Sequence, residues 1–251
     1  MLAFKNKIRI CELFGIPIYL DVTFAIILAM FLFDVQPTYA IAFALSLAIA
    51  IVLHELGHSL MAAVFGYRTN DITLSLLGGC ASLIAMPRKA YQEFLVAAAG
   101  PFVSFALSFL SLVVLVLFPI ENKWLTNIIV FNMWMNATLG LFNCLPALPM
   151  DGGRVFRSFL RFFVSRVRAT YIAMVVGRVM AVLLVVLPLL GIDSIGPIPI
   201  GGYFFMRVLI AMMIWREGAR EYKIAQVESD FRKWTQDDFN ARVSPPPYER
   251  D

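Results

Sequence analysis

Long apolar runs separated by short polar breaks dominate this chain. The runs cover about 20–36, 39–65, 92–118, 124–144, 170–190 and 199–217. Most approach or exceed the length needed for a helix to cross a bilayer. Asp34, Gln36 and Pro37 end the first run, Gly66 stops the second, and Pro146 and Pro149 break the chain after the fourth. Two stretches follow a different period. Residues 1–19 contain Phe14-Gly15-Ile16-Pro17-Ile18-Tyr19, which reads as a short extended segment. Residues 72–84 place alternating β-formers on both sides of Gly78-Gly79, which predicts a β-hairpin too short to span as a helix. Arg154, Arg157 and Arg161 recur at helical spacing and predict a short amphipathic helix over about 153–166. The expected fold is therefore an all-α polytopic membrane protein. It has about six transmembrane helices and a small membrane-associated β-hairpin or sheet. Residues 1–217 form the transmembrane domain, and 218–251 form a polar cytoplasmic tail.

Composition sharpens this picture. The 251 residues are 60% hydrophobic and only 15% charged, against about 25% charged in ordinary soluble domains. The net charge of +4 comes from basic residues in short groups between apolar runs. That distribution belongs to membrane topology and gives no sign of nucleic-acid binding. Lys5, Lys7 and Arg9 precede the first span, and Arg68, Arg88 and Lys89 follow the second. Arg154, Arg157, Arg161, Arg166 and Arg168 follow the fourth, and Arg216, Arg220 and Lys223 follow the sixth. The opposite loops offer Lys123 against Asp34, Glu121 and Asp193. This asymmetry predicts a multi-pass protein with both termini cytoplasmic. No cleavable leader is expected, because no small-x-small pattern follows the first apolar run. Cys11, Cys80 and Cys144 are scattered and odd in number, so no disulfide framework is expected.

The chemistry is concentrated in the second run, where His54-Glu55-Leu56-Gly57-His58 interrupts an otherwise apolar helix. Residues four apart on a helix are about 40° apart around its axis, so the two imidazoles share a face. That arrangement suits one zinc ion, with Glu55 beside it as general base. The chain has only two histidines, and both are here. A bland alternative is a satisfied polar cluster, one histidine bonded to a carbonyl and Glu55 paired with an arginine. It leaves three ionisable residues in an apolar helix without a reason.

A catalytic zinc takes three protein ligands and keeps one position open. No third histidine exists, so a carboxylate or cysteine must serve. Asp151 is the first choice, because in the six-span topology it lies at the depth of His54 and His58. Cys144 is the runner-up, and Asp71 and Glu93 sit in boundary segments that reach water. Helix N-capping is the alternative role for Asp151. Asn143, near the same depth, has a side chain suited to donating to an oxyanion, or else to bonding a neighbouring helix.

These residues resemble the site-2 protease family of intramembrane zinc metalloproteases. His54-Glu55-Leu56-Gly57-His58 is one shared motif. Asn143-x-x-Pro146 leading to Asp151-Gly152 is the other, and Ala99-Gly100-Pro101 is similar to the family's third-helix motif. The resemblance implies that His54, His58 and Asp151 bind Zn2+ and that Glu55 activates water. It also implies hydrolysis of peptide bonds in or near the transmembrane segments of protein substrates, in contact with membrane lipid, within a prokaryotic cell (inner) membrane. The loop near Pro119–Lys123 is too short for the PDZ domain many members carry. The tail is too short for a cystathionine-β-synthase-type module, so the likeness is to the compact six-span branch. Ser104 stands where the family often has Asn. Two other classes fit parts of the pattern: a metal-ion transporter, and a catalytically silent relative that binds membrane helices.

Overall fold

The structure is a computed structural model and describes residues 7–24, 26, 37–75, 78–83, 87, 89–191, 194–195, 198–199 and 204–243. Six helices are described: α1 (Pro37–Val64), α2 (Ala90–Leu117), α3 (Lys123–Asn143), α4 (Asp151–Leu160), α5 (Arg166–Leu189) and α6 (Phe204–Val243). Strands β1 (Lys7–Leu13), β2 (Ile16–Asp21), β3 (Thr69–Ser75) and β4 (Gly78–Leu83) form one sheet in that order. Strands β5 (Ser194–Ile195) and β6 (Ile198–Pro199) form a second, two-stranded ladder. Two compact units emerge: Met1–Leu145 with Met150–Phe159, and Pro146–Pro149 with Leu160–Asp251.

In the first unit the sheet sits on the histidine-bearing helix. β1 and β2 make an antiparallel hairpin, β2 pairs parallel with β3, and β3 and β4 make a second hairpin. A parallel pair needs a long crossover, and α1 supplies it. Alternation sends Ile16, Ile18 and Leu20, and likewise Ile72 and Leu74, to one face of the sheet. There they pack against Leu47, Ile51, Val52 and Leu56 of α1. The hairpin expected over 72–84 is thus half of a larger sheet. Lys7 reaches across β2 to bond Asp71 Oδ2 at 2.8 Å. Burial pushes the Asp71 carboxyl up, but the hydrogen bonds from Lys7 and Ser82 outweigh it and hold the group below its usual value. Asp71 is therefore committed to the sheet.

Among the described residues four helices are long and apolar enough to cross a membrane: Tyr39–Val64, Ala90–Leu117, Lys123–Asn143 and Arg166–Leu189. They match the second to fifth expected spans. Most of the first, 20–36, lies outside the described residues, as does the start of the sixth. The described part of the sixth belongs to α6, which continues unbroken past residue 217. Its apolar run is interrupted by Arg207, Arg216 and Glu217. The protein is an integral membrane protein, mostly helical, with one small four-stranded sheet. Ile41, Leu45 and Ile49 line an exposed stripe of α1, while Ala40, Ala44, Leu47, Ile51, His54 and His58 are buried. Small side chains on the inner face let neighbouring helices approach. Polar contacts join the spans: Asn132 Nδ2 donates to Ser46 Oγ at 3.1 Å, and Ser108 Oγ donates to the Met133 carbonyl at 2.9 Å. Asn122 caps α3 by accepting from the backbone of Trp124 at 2.9 Å.

The second unit is built on α5 and α6. Arg166 pairs with Glu228 at 2.5 Å, and Tyr171 stacks near Tyr222 with centroids 5.4 Å apart. Arg178 lies over the Trp215 ring, 4.6 Å from its centroid.

Candidate metal centre

Three elements of the first unit deliver the site. On α1, His54 and His58 project together from the buried face. α4 begins at Asp151, whose carboxylate Oδ2 lies 3.0 Å from both His54 Nε2 and His58 Nε2. The two Nε2 atoms are 3.3 Å apart. Ligands about 2.1 Å from a tetrahedral ion stand about 3.4 Å from one another, so these atoms have the spacing of a ligand set. Among the described residues this is the one such group of His, Cys, Asp and Glu side chains.

The third element, α2, fixes how the ligands point. His58 Nδ1 lies 2.7 Å from the Val96 carbonyl, and His54 Nδ1 lies 2.8 Å from Ser104 Oγ. A carbonyl can only accept, so His58 Nδ1 carries the proton. In its neutral form His58 would present an Nε2 lone pair beside the Asp151 carboxylate oxygen. Three acceptors converging on one point is the donor set of a cation, with outer hydrogen bonds that orient both rings. The space beside them is held open by Gly100. A Cβ built there would meet His58 Nε2 at 2.2 Å and His54 Nε2 at 2.8 Å. The residues present therefore fit a bound metal ion.

Glu55 stands next to His54 but faces the sheet. Its Oε2 accepts from the Ala81 N–H of β4 at 3.2 Å. β4 can lie this close because position 79 is glycine: a Cβ there would meet Glu55 Cγ at 2.5 Å and Oε1 at 2.8 Å. β4 is the edge of its sheet, so its outer side is not occupied by a fifth strand among the described residues.

The sequence-expected residues separate clearly here. His54, His58 and Asp151 come together. Cys144 is exposed and stays out of the cluster. Glu93 is buried on α2 and pairs with Arg157. Asn143 donates from Nδ2 to the Leu139 carbonyl at 3.1 Å, within its own helix. Val96, Gly100 and Ser104 were not singled out as site residues by sequence. Ser104 and Gly100 occupy positions with a motif signal, whereas the Val96 carbonyl leaves none.

With this geometry in view, comparisons with known proteins place the chain. The model of Peptidase family M50 matches residues 42–123 and 119–187, so the chain belongs to that family, the site-2 proteases. A zinc metalloprotease of Methanocaldococcus jannaschii is 30% identical over 230 residues, 90% of this chain and 63% of its own length. A Synechocystis protein carrying a zinc metalloprotease name is 32% identical, over 96% of this chain and 66% of its own. The chain thus spans just under two thirds of the length of these two curated relatives. Among solved structures, the site-2 protease from Methanocaldococcus jannaschii superposes with a TM-score of 0.60 at 28% identity. The match covers 86% of this chain and 95% of that one.

Proposed function

We propose that this chain is an intramembrane zinc metalloendopeptidase that hydrolyses peptide bonds in or near the transmembrane segments of membrane proteins. The observation that carries the proposal is the convergence of His54 Nε2 and His58 Nε2, from a helix apolar enough to span, on Asp151 Oδ2 of α4, with Glu55 the residue next to His54. Zinc held there supplies Lewis acidity, which polarises a carbonyl and acidifies water. The Glu55 carboxylate takes a proton from the attacking water and returns it to the departing amide nitrogen. An amide nitrogen carries two hydrogens, so Asn143 keeps one to offer an oxyanion while the other bonds Leu139. Asn143→Ala is expected to lower kcat by about 10²-fold with KM little changed. An unaltered kcat would remove Asn143 from the mechanism.

The reading extends to topology. Six spans, a domain over 1–217 and a cytoplasmic tail over 218–251 fit the distribution of basic loops, and the family likeness supports a prokaryotic inner membrane. Reporter fusions at Asp251 and in the Pro119–Lys123 loop should report opposite sides, with Asp251 cytoplasmic. An external signal at Asp251 would overturn the orientation.

Purified protein in detergent or liposomes is expected to cut single-span substrates. Cleavage should cease when zinc is removed by a chelator and return when zinc is restored. Chelator-insensitive cleavage would exclude the metal reading. Zinc uptake into sealed vesicles without any cleavage would favour transport. Transport, however, calls for ligands spread through the membrane depth, and these three share one point.

A further inference from the structure

Asp151 must hold its carboxylate Oδ2 3.0 Å from two imidazole nitrogens at once, yet it opens a helix of only 10 residues after a turn containing Pro146 and Pro149. Something other than the chain's own path has to fix that helix. Arg157, one and a half turns on, is buried, with its side chain 3% exposed against 9% for Glu93. Its Nε donates to Glu93 Oε1 at 2.8 Å, and its Nη2 bonds the same oxygen. Among the described residues, Arg157 is the one Lys or Arg in the buried class.

Glu93 shares a stripe of α2 with the parts that arrange the histidines. Glu93, Val96, Gly100 and Ser104 are spaced three, four and four apart, so they lie along one helix face, and all four are buried. Ser104 orients His54, the Val96 carbonyl orients His58, and Gly100 leaves the space where the ligands meet. Glu93 completes the set by gripping the helix that carries Asp151. A buried ion pair contributes little net stability against an apolar pair of the same size, so its presence here calls for a geometric reason.

We propose that the Glu93–Arg157 pair is a positioning device: it registers α4 on α2 so that Asp151 reaches the point the two histidines face. The pair touches neither metal nor substrate and acts through Asp151. The inference rests on the reading of His54, His58 and Asp151 as metal ligands.

Cobalt(II) binding to the purified full-length protein tests it, read from the visible ligand-field bands, alongside thermal melting of the metal-free protein. Arg157→Lys keeps the charge but loses the planar fork that fixes direction. It should melt near wild type and bind cobalt at least about 10-fold more weakly, with altered bands. The double variant Glu93→Met with Arg157→Met removes the charges together and should fold, yet show the same loss of cobalt affinity. If Arg157→Lys does not fold, the double variant decides. Wild-type cobalt affinity and bands in a folded variant of either kind would make the pair a stability element only and overturn the proposal. A wild-type chain that takes up no cobalt would instead overturn the ligand assignment, and this inference with it.

Discussion

Glu55→Gln should leave the fold and the bound zinc intact and reduce turnover by about 10²–10⁴-fold, a loss of about 3–5 kcal/mol of transition-state stabilisation. Glutamine has nearly the shape of glutamate, and its amide oxygen can still accept from the Ala81 N–H that now holds Oε2 at 3.2 Å. What it cannot do is receive a proton. The variant therefore separates holding from reacting. Metal content by atomic absorption should match wild type, while product from a single-span substrate should nearly vanish. Cleavage close to the wild-type rate would rule out Glu55 as the base.

Gly100→Ala should abolish stoichiometric metal binding and activity together. The added methyl would sit 2.2 Å from His58 Nε2 and 2.8 Å from His54 Nε2, well inside any contact that two heavy atoms tolerate. Alanine is a better helix residue than glycine, so α2 itself should not suffer. The overlap must push the buried His58 and His54 rings aside, however, so melting of the metal-free protein should fall by the equivalent of about 1–3 kcal/mol. Asp151→Ala should lose metal in the same way, and Cys144→Ala should keep it. A Gly100→Ala protein with full zinc and normal turnover would mean that the ion lies elsewhere.

Much of this was legible in the sequence, for physical reasons that differ from residue to residue. His54, Glu55 and His58 announce themselves because ionisable groups in an apolar helix are costly. Asp151 followed from span counting, since depth in a bilayer can be read from loop charges. The four spans from 39 to 190 were visible as uninterrupted apolar runs. The sheet was only half visible. The 72–84 hairpin is a local pattern, but its parallel pairing with β2 joins Ile18 to Ile72 across a whole helix, and no local signal encodes that. Ser104 was noted as a departure from the family pattern, yet its hydrogen bond to His54 depends on how α1 and α2 pack. Arg157 reads in sequence as one of several arginines on an amphipathic face. Only the fold shows it turned inward, with Phe159 on the outside.

The three converging side chains also have an order in time. His54 and Asp151 lie 97 residues apart in the chain. At synthesis rates of about 5–20 residues per second, the two histidines are made roughly 5–20 seconds before their third partner. Throughout that interval the nascent chain carries two imidazoles without the carboxylate that completes the set. It cannot close a three-ligand centre until α4 has left the ribosome and docked against α2. A site assembled in this order stays incomplete while the chain's own unfolded segments, and those of neighbouring nascent membrane proteins, are most exposed to it.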